Sequence, residues 1–338
     1  MRRPAVATAS TEDEGVLPLH APAPPRRLPP RALTVGVPVV YVVALAVVVD
    51  RWGLPVARDQ LFLWLALGMA AFSVAAWRSW GVMLLEWLPF FGLLVVYDFL
   101  RGAVGVAPEQ AHVAAQVAVD KALAGGAIPT VWLQDHLWSP GHPHWYDYGV
   151  WAVYMTHFFV VWITAAVLWR LSRPRFRRYA ALTVALTLGA FVGYWVYPAQ
   201  PPWLTAAAAD IPPVDRIVPE VWGHLGVPTV QSVYENGHLV NTVAAMPSLH
   251  AAYPFMLLLF FWSAGRWVRI GLALYTVAMA FALVYGGEHY VTDILAGWAL
   301  AGALYAAGWT VVRHAHRALP TGREHVSIGH HGQARRSR

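Results

Sequence analysis

The chain has 338 residues, of which 58% are hydrophobic and 12% charged, with mean hydropathy +0.46, 18 Trp and a formal net charge of +6. A water-soluble domain carries about a quarter charged residues, so this composition argues against a soluble enzyme and for a membrane solvent. With no cysteine there is no disulfide framework, thiolate metal site or cysteine nucleophile, and no nucleic-acid motif accompanies the basic residues.

Residues 1–31 are rich in Pro, Ala and Arg without an apolar period, and read as a disordered cytoplasmic tail. A cleaved signal peptide needs its apolar stretch close behind the first arginines, whereas Arg2 and Arg3 are followed by Thr, Glu and Asp. Beyond the tail, apolar runs suited to a ~30 Å hydrocarbon core, about 20 residues as helix, recur near 32–49, 61–77, 80–100, 146–169, 179–198, 248–265, 270–286 and 290–312. The expected fold is an all-α polytopic membrane helix bundle of about eight transmembrane helices. Its divisions are an N-terminal hairpin over 32–78, a six-helix catalytic domain over 79–313, and a basic disordered cytoplasmic tail over 314–338. Two stretches are too polar to span. Residues 103–145 hold His112, Asp120, Lys121, Gly125, Gly126, Pro129 and Asp135, and read as an interfacial or re-entrant segment, helical around 107–123 and then broken. Residues 199–247 read as a long loop rich in Pro and Gly.

Charge tests this topology. With both termini inside, the cytoplasmic segments carry 19 of the 24 Lys and Arg residues; the opposite segments carry Arg51, Arg58, Arg101, Lys121 and Arg216. Basic residues are retained inside, so an N-in, C-in multi-pass protein of the plasma membrane is expected. Three polar clusters then share the outer side: Tyr97 to Gly102, the loop from Tyr197 to His250, and Gly286 to Asp293.

His289 and Asp293 are four residues apart, which places both on one helix face. The carboxylate can accept a hydrogen bond from one ring nitrogen, fix the tautomer and leave the other nitrogen free to attack. The same spacing also suits a structural pair that pins two helices. Pro247-Ser248-Leu249-His250 precedes an apolar run. Serine is a good N-cap, and the first turn of such a helix presents unpaired N–H groups to an anion such as phosphate. His250 there can donate a proton to a departing oxygen; an ordinary capped helix with an interfacial His satisfies the pattern too.

Together, Pro247-Ser248-Leu249-His250 and His289-Tyr290-Val291-Thr292-Asp293, followed by Ile294-Leu295-Ala296-Gly297, resemble the PAP2 superfamily of membrane phosphatases and phosphotransferases over roughly residues 90–312. The resemblance implies that His289 is the nucleophile, Asp293 its orienting carboxylate and His250 the acid for the leaving group. Two cationic elements common in the family are missing. The Lys-x6-Arg-Pro region reads Tyr197-Pro198-Ala199-Gln200-Pro201-Pro202-Trp203, and the Ser-Arg pair is replaced by Ala282-Leu283. Both departures, the Glu288-His289-Tyr290 run and Tyr97-Asp98-Phe99-Leu100-Arg101-Gly102 look like the inositolphosphotransferase branch, similar to inositol phosphorylceramide synthase.

A phosphoryl group still needs positive partners as charge develops on its oxygens. Arg101 is the leading candidate, with Ser248, Asp98 and Lys121 as further substrate or phosphate contacts and Arg216 in reserve; Arg101 also suits a snorkelling residue paired with Asp98. Glu86 and His157 lie within spans, where inter-helix hydrogen bonding is the simpler reading. His224, Glu235, Asn236, His238 and Asn241 are loop residues that can line an acceptor site. His314, His316, His330 and His331 are expected to be solvated, and the Trp residues suit membrane interfaces.

The expected activity is lipid phosphotransfer, of phosphoinositol or a similar headgroup, through a phosphohistidine at the outer face. The substrate is a phospholipid or lipid phosphate in the bilayer, with no nucleic-acid partner. Two displacements on histidine call for no cofactor and no metal, and nothing in the sequence sets an oligomeric state. The alternatives are a lipid phosphatase of the same superfamily, a proton-coupled transporter, a metal site built from His250, His289 and Asp293, or an inactive scaffold.

Overall fold

The computed structural model describes residues 31–52, 58–74, 81–82, 85–89, 92, 110–226 and 242–318. They form helices α1 (Arg31–Trp52), α2 (Arg58–Phe72), α3 (Ala114–Leu123), α4 (Pro129–Leu137), α5 (Trp145–Leu171), α6 (Arg173–Val196), α7 (Pro202–Ala207), α8 (Ile217–His224), α9 (Leu249–Phe260), α10 (Arg266–Tyr285) and α11 (Val291–Ala318). Among the described residues five helices are long and apolar enough to cross a membrane: Ala32–Arg51, Trp145–Leu171, Arg173–Val196, Arg266–Tyr285 and Val291–Gly308. The chain is therefore an all-α, multi-pass integral membrane protein. Most of the expected span at 80–100, with Asp98 and Arg101, lies outside the described residues, as do 227–241 and the tail residues 1–30 and 319–338; residues 314–318, expected to be disordered, instead continue α11.

Both stretches read as too polar to span contain short helices. In 103–145, α3 ends at a turn where Gly125 and Gly126 adopt positive φ, and Pro129 opens α4. In 199–247, α7 and α8 each start at or near a proline. These helices pack across one end of the long ones: α3 on α11, α4 on α10 and α8 on α5.

The bundle centres on α9, which packs against α6, α10 and α11, while α5 packs on α6 and α10. Buried Tyr179, Leu186 and Ala190 of α6 meet Met256 and Phe260 of α9, Ala301 of α11 and Val161 of α5. Outward-facing Ile163, Val192, Leu274 and Val277 are exposed; in a bilayer that surface meets lipid, so its exposure is favourable rather than a liability. The turn from α5 to α6 meets the turn from α9 to α10, with the Arg178 guanidinium 6.0 Å from the Phe260 ring and Arg175 5.8 Å from Phe261. Glu86 joins this end through hydrogen bonds from Trp169 Nε1 (2.9 Å), Arg177 Nη2 (2.8 Å) and Arg173, which bears out its reading as an inter-helix contact.

At 12 residues, α9 is about 18 Å long, too short to cross alone. Its start is held instead by α11, which approaches so closely that a Cβ at Gly297 would lie 2.4 Å from the Ser248 carbonyl oxygen. A Gly297→Ala variant must part these helices. Turnover is expected to fall at least about tenfold and stability by roughly 1–3 kcal/mol, checked by activity and thermal unfolding in detergent.

Candidate active site

The two motifs meet through their backbones. Ser248 is the N-cap of α9: its Oγ accepts a hydrogen bond from Ala251 N at 3.3 Å. Its own N–H donates to the Asp293 carbonyl at 3.0 Å, so the first turn of α9 is tied to the first turn of α11. Tyr194 reinforces the joint by donating to the Pro247 carbonyl at 3.0 Å.

The segment before α11 is a tight reversal. Glu288 N and His289 N both donate to the Leu283 carbonyl, at 3.0 and 3.2 Å. Gly287 has φ +78° and an added Cβ would lie 2.6 Å from the Asp215 carbonyl oxygen, so both conformation and space require glycine. Gln134 of α4 clamps the reversal. Its Nε2 donates to the Asp215 and Tyr285 carbonyls at 2.9 and 2.8 Å, and its Oε1 accepts from Asp215 N at 2.9 Å.

Asp293 is fully buried at 0% exposure, and every contact it makes is specific. Oδ1 accepts from Gln116 Nε2 at 2.6 Å; Oδ2 accepts from Tyr290 N at 3.0 Å and faces His289 Nδ1 at 3.3 Å. A carboxylate there favours the tautomer with the proton on Nδ1 and leaves Nε2 as the nucleophilic nitrogen. The 3.3 Å separation is long for a hydrogen bond, as is common at catalytic contacts before substrate arrives. His289 itself is 6% exposed, buried on all sides but one.

A second buried carboxylate supports the first. Asp120 of α3 accepts from Val291 N and Thr292 N at 3.0 Å each and from Thr292 Oγ1 at 2.7 Å. It caps α11 from another helix, placing negative charge where the helix dipole favours it. Burial pushes its carboxyl up, the hydrogen bonds from Thr292 and Val291 oppose that, and the charge of Asp293 adds to it. Gln116 and Asp120 are four apart on α3, the first bonded to the Asp293 carboxylate and the second to the first turn of α11. The sequence reading named Asp120 only as a polar residue and passed over Gln116; their i, i+4 spacing on an otherwise apolar segment was the available signal.

The structure brings His289, Asp293, His250 and Ser248 together. The His250 ring centre lies 5.5 Å from that of His289, close enough for one phosphoryl group to meet both. His157, assigned above to helix packing, lies 3.8 Å from the His250 ring. Lys121 is exposed and lines a shallow groove with Trp132, Asp135 and Pro212. Arg216 reaches the neighbour of His289: it pairs with Glu288 through Nη2 at 2.9 and 3.2 Å and Nε at 3.1 Å, and its guanidinium lies 4.6 Å from the Trp203 ring. Among the described residues no group of three or more His, Asp or Glu side chains could hold a metal ion.

Beside α3 lies a cavity of about 810 Å³, lined by His112, Tyr197, Gln200 and Asp210 among small apolar residues of α3 and α7. Its wall is built by pairing of extended backbone: His112 N donates to Pro198 O at 2.8 Å, Gln200 N to His112 O at 3.2 Å, and Ala199 N to Val243 O at 2.9 Å. The His112 and Tyr197 rings stack at 4.1 Å. The Tyr197–Trp203 segment that departs from the common pattern thus forms part of this cavity wall.

Comparison with known proteins identifies the family. Residues 118–307 match the PAP2 superfamily. The chain is 30% identical over 226 residues, 62% of its own length and 71% of the relative's, to phosphoinositol dihydroceramide synthase of Bacteroides thetaiotaomicron. No solved structure matches the chain. With more than half its length inside the matched domain, and with a synthase among its relatives, the chain belongs to the PAP2 superfamily and is an enzyme of the lipid phosphotransferase and phosphatase type.

Proposed function

We propose that the chain transfers a phosphoinositol or similar phosphorylated headgroup from a phospholipid to a lipid alcohol, through a phosphohistidine on His289. The observation that carries this reading is the approach of two imidazoles, remote in sequence, to 5.5 Å, with a buried carboxylate behind one of them. His289 Nε2 attacks phosphorus, and the P–O bond to the donor lipid breaks. His250 gives its proton to the departing alkoxide. Asp293 stabilises the positive ring that results. In the second displacement the acceptor hydroxyl loses its proton to His250 as its oxygen bonds phosphorus and the N–P bond breaks.

Similarity to a phosphoinositol dihydroceramide synthase supports phosphoinositol as the group moved and a ceramide-like alcohol as acceptor. The cavity beside α3 suits the headgroup. The described side chains that line it include no Lys or Arg, and they offer a phenol, an amide, an imidazole and a carboxylate to hydroxyls. Arg216, held beside the nucleophile by Glu288, and Arg101 are the cations proposed to balance the phosphoryl oxygens, with Ser248, Asp98 and Lys121 as the further candidates from sequence.

The proposed orientation follows from charge. Arg173, Arg175, Arg177, Arg178, Arg266 and Arg269 gather where α5 meets α6 and α9 meets α10, at the ends of these helices remote from His289 and His250. Basic ends stay in the cytoplasm, so the site faces outward with both termini inside. A lipid phosphatase differs only in using water for the second displacement.

Purified protein given phosphatidylinositol labelled in its headgroup, with dihydroceramide, is expected to form labelled acceptor lipid; free inositol phosphate as the sole labelled product favours hydrolysis. His289→Ala is expected to abolish both products, and Asp293→Asn to lower turnover by about 10²–10⁴-fold. Unchanged turnover in His289→Ala contradicts the mechanism.

A further inference from the structure

The two imidazoles of the site are oriented by different means. His289 faces a carboxylate. His250 has, among the described residues, no hydrogen-bond partner on its ring and lies among aromatic faces instead. The His157 ring is 3.8 Å away with 30° between planes, and Tyr154, from the preceding turn of α5, is 5.1 Å away at 19°. Phe158 closes the side edge-on at 6.3 Å and 83°. His157 is backed in turn by Tyr253 of α9 at 5.6 Å. Its Nδ1 is buried without a hydrogen-bond partner, a costly arrangement for a polar atom. A Leu or Phe would fill such a place more cheaply if packing alone mattered.

We propose that His157 is a positioning residue for the proton donor: with Tyr154 it holds the His250 ring by face-to-face contact, so that its N–H points at the leaving oxygen. The inference rests on the reading of His250 as that donor. The step it serves is the first displacement, in which the N–P bond forms on His289, the P–O bond to the lipid breaks, and the His250 proton passes to the lipid oxygen. Stacking limits rotation of a side chain that no hydrogen bond restrains, and loss of orientation is expensive in catalysis. In this arrangement the face of His157 acts, not its nitrogens.

The test reads the first displacement alone, as the pre-steady-state burst of released diacylglycerol or nitrophenolate, in the purified full-length protein with two donors: phosphatidylinositol, whose alkoxide must be protonated, and the p-nitrophenyl diester of inositol phosphate, whose phenolate leaves without a proton. His157→Ala is expected to lose roughly 10–100-fold on phosphatidylinositol and less than about threefold on the nitrophenyl ester. His157→Phe, which keeps the face, is expected to remain within about threefold of the parent on both. Tyr154→Leu is expected to show the same split between donors as His157→Ala, and serves if that variant fails to fold. Equal losses on the two donors, no loss in His157→Ala, or a Phe variant as impaired as the Ala variant each overturn the proposal. His250→Ala separates the levels. If it shows the donor split and His157→Ala does not, only the positioning role falls; if it shows none, the reading of His250 as the acid falls first.

Discussion

A charge taken out of water must be met by partners, and in this fold the carboxylate of Asp293 sets that demand. It is fully buried, and among the described residues no Lys or Arg hydrogen-bonds or pairs with it. Its neighbours are the amide of Gln116, the backbone N–H of Tyr290 and the ring of His289. Two of these are fixed by other elements, so the carboxylate is rigid and only the imidazole can answer a change in charge. In the proposed mechanism, positive charge developing on His289 during attack is met by a group already desolvated and aligned, with little reorganisation left for the reaction itself.

The same residue organises the bundle. The Asp293 carbonyl accepts from Ser248 N, and Gly297 one turn later lets α11 lie against that serine. Because α9 is too short to span, its first turn lies within the bundle, against α11 and α5, and is not a free helix end. The reversal at Gly286–His289 brings the other histidine to the same level. Asp120 and Gln116 of α3 then cover the first turn of α11. The N–H groups there are occupied by Asp120, so among the two helix starts only that of α9 is left to face an anion.

Much of this was legible in the sequence, for identifiable reasons. Apolar run length found the long helices because hydrocarbon thickness fixes a length that local propensity cannot change. The i, i+4 spacing of His289 and Asp293 and the Ser248 cap are local features, and they persist in three dimensions. What failed to show were contacts made across the fold. Asp120 was read only as one of the polar residues of an interfacial helix around 107–123, because its partners, Val291 and Thr292, lie more than 170 residues away. His157 looked like a polar residue in a helix–helix contact, since nothing local indicates that α5 passes His250. The segment 103–145 beyond its expected helix and the segment 199–247 looked irregular because their helices are short and broken by Gly and Pro, yet they supply Gln134, Asp215 and Arg216, which hold the turn before His289.

Two displacements on one imidazole, with a second imidazole alternating between acid and base, require a covalent phosphorus–nitrogen bond to exist between them. The most direct measurement is to quench the enzyme during turnover of headgroup-labelled phosphatidylinositol and map the labelled peptide by mass spectrometry. The account predicts an acid-labile, base-stable adduct on His289 that is absent from His289→Ala and decays when an acceptor alcohol is added. Full turnover with no adduct on His289, or an adduct on His250, would contradict it.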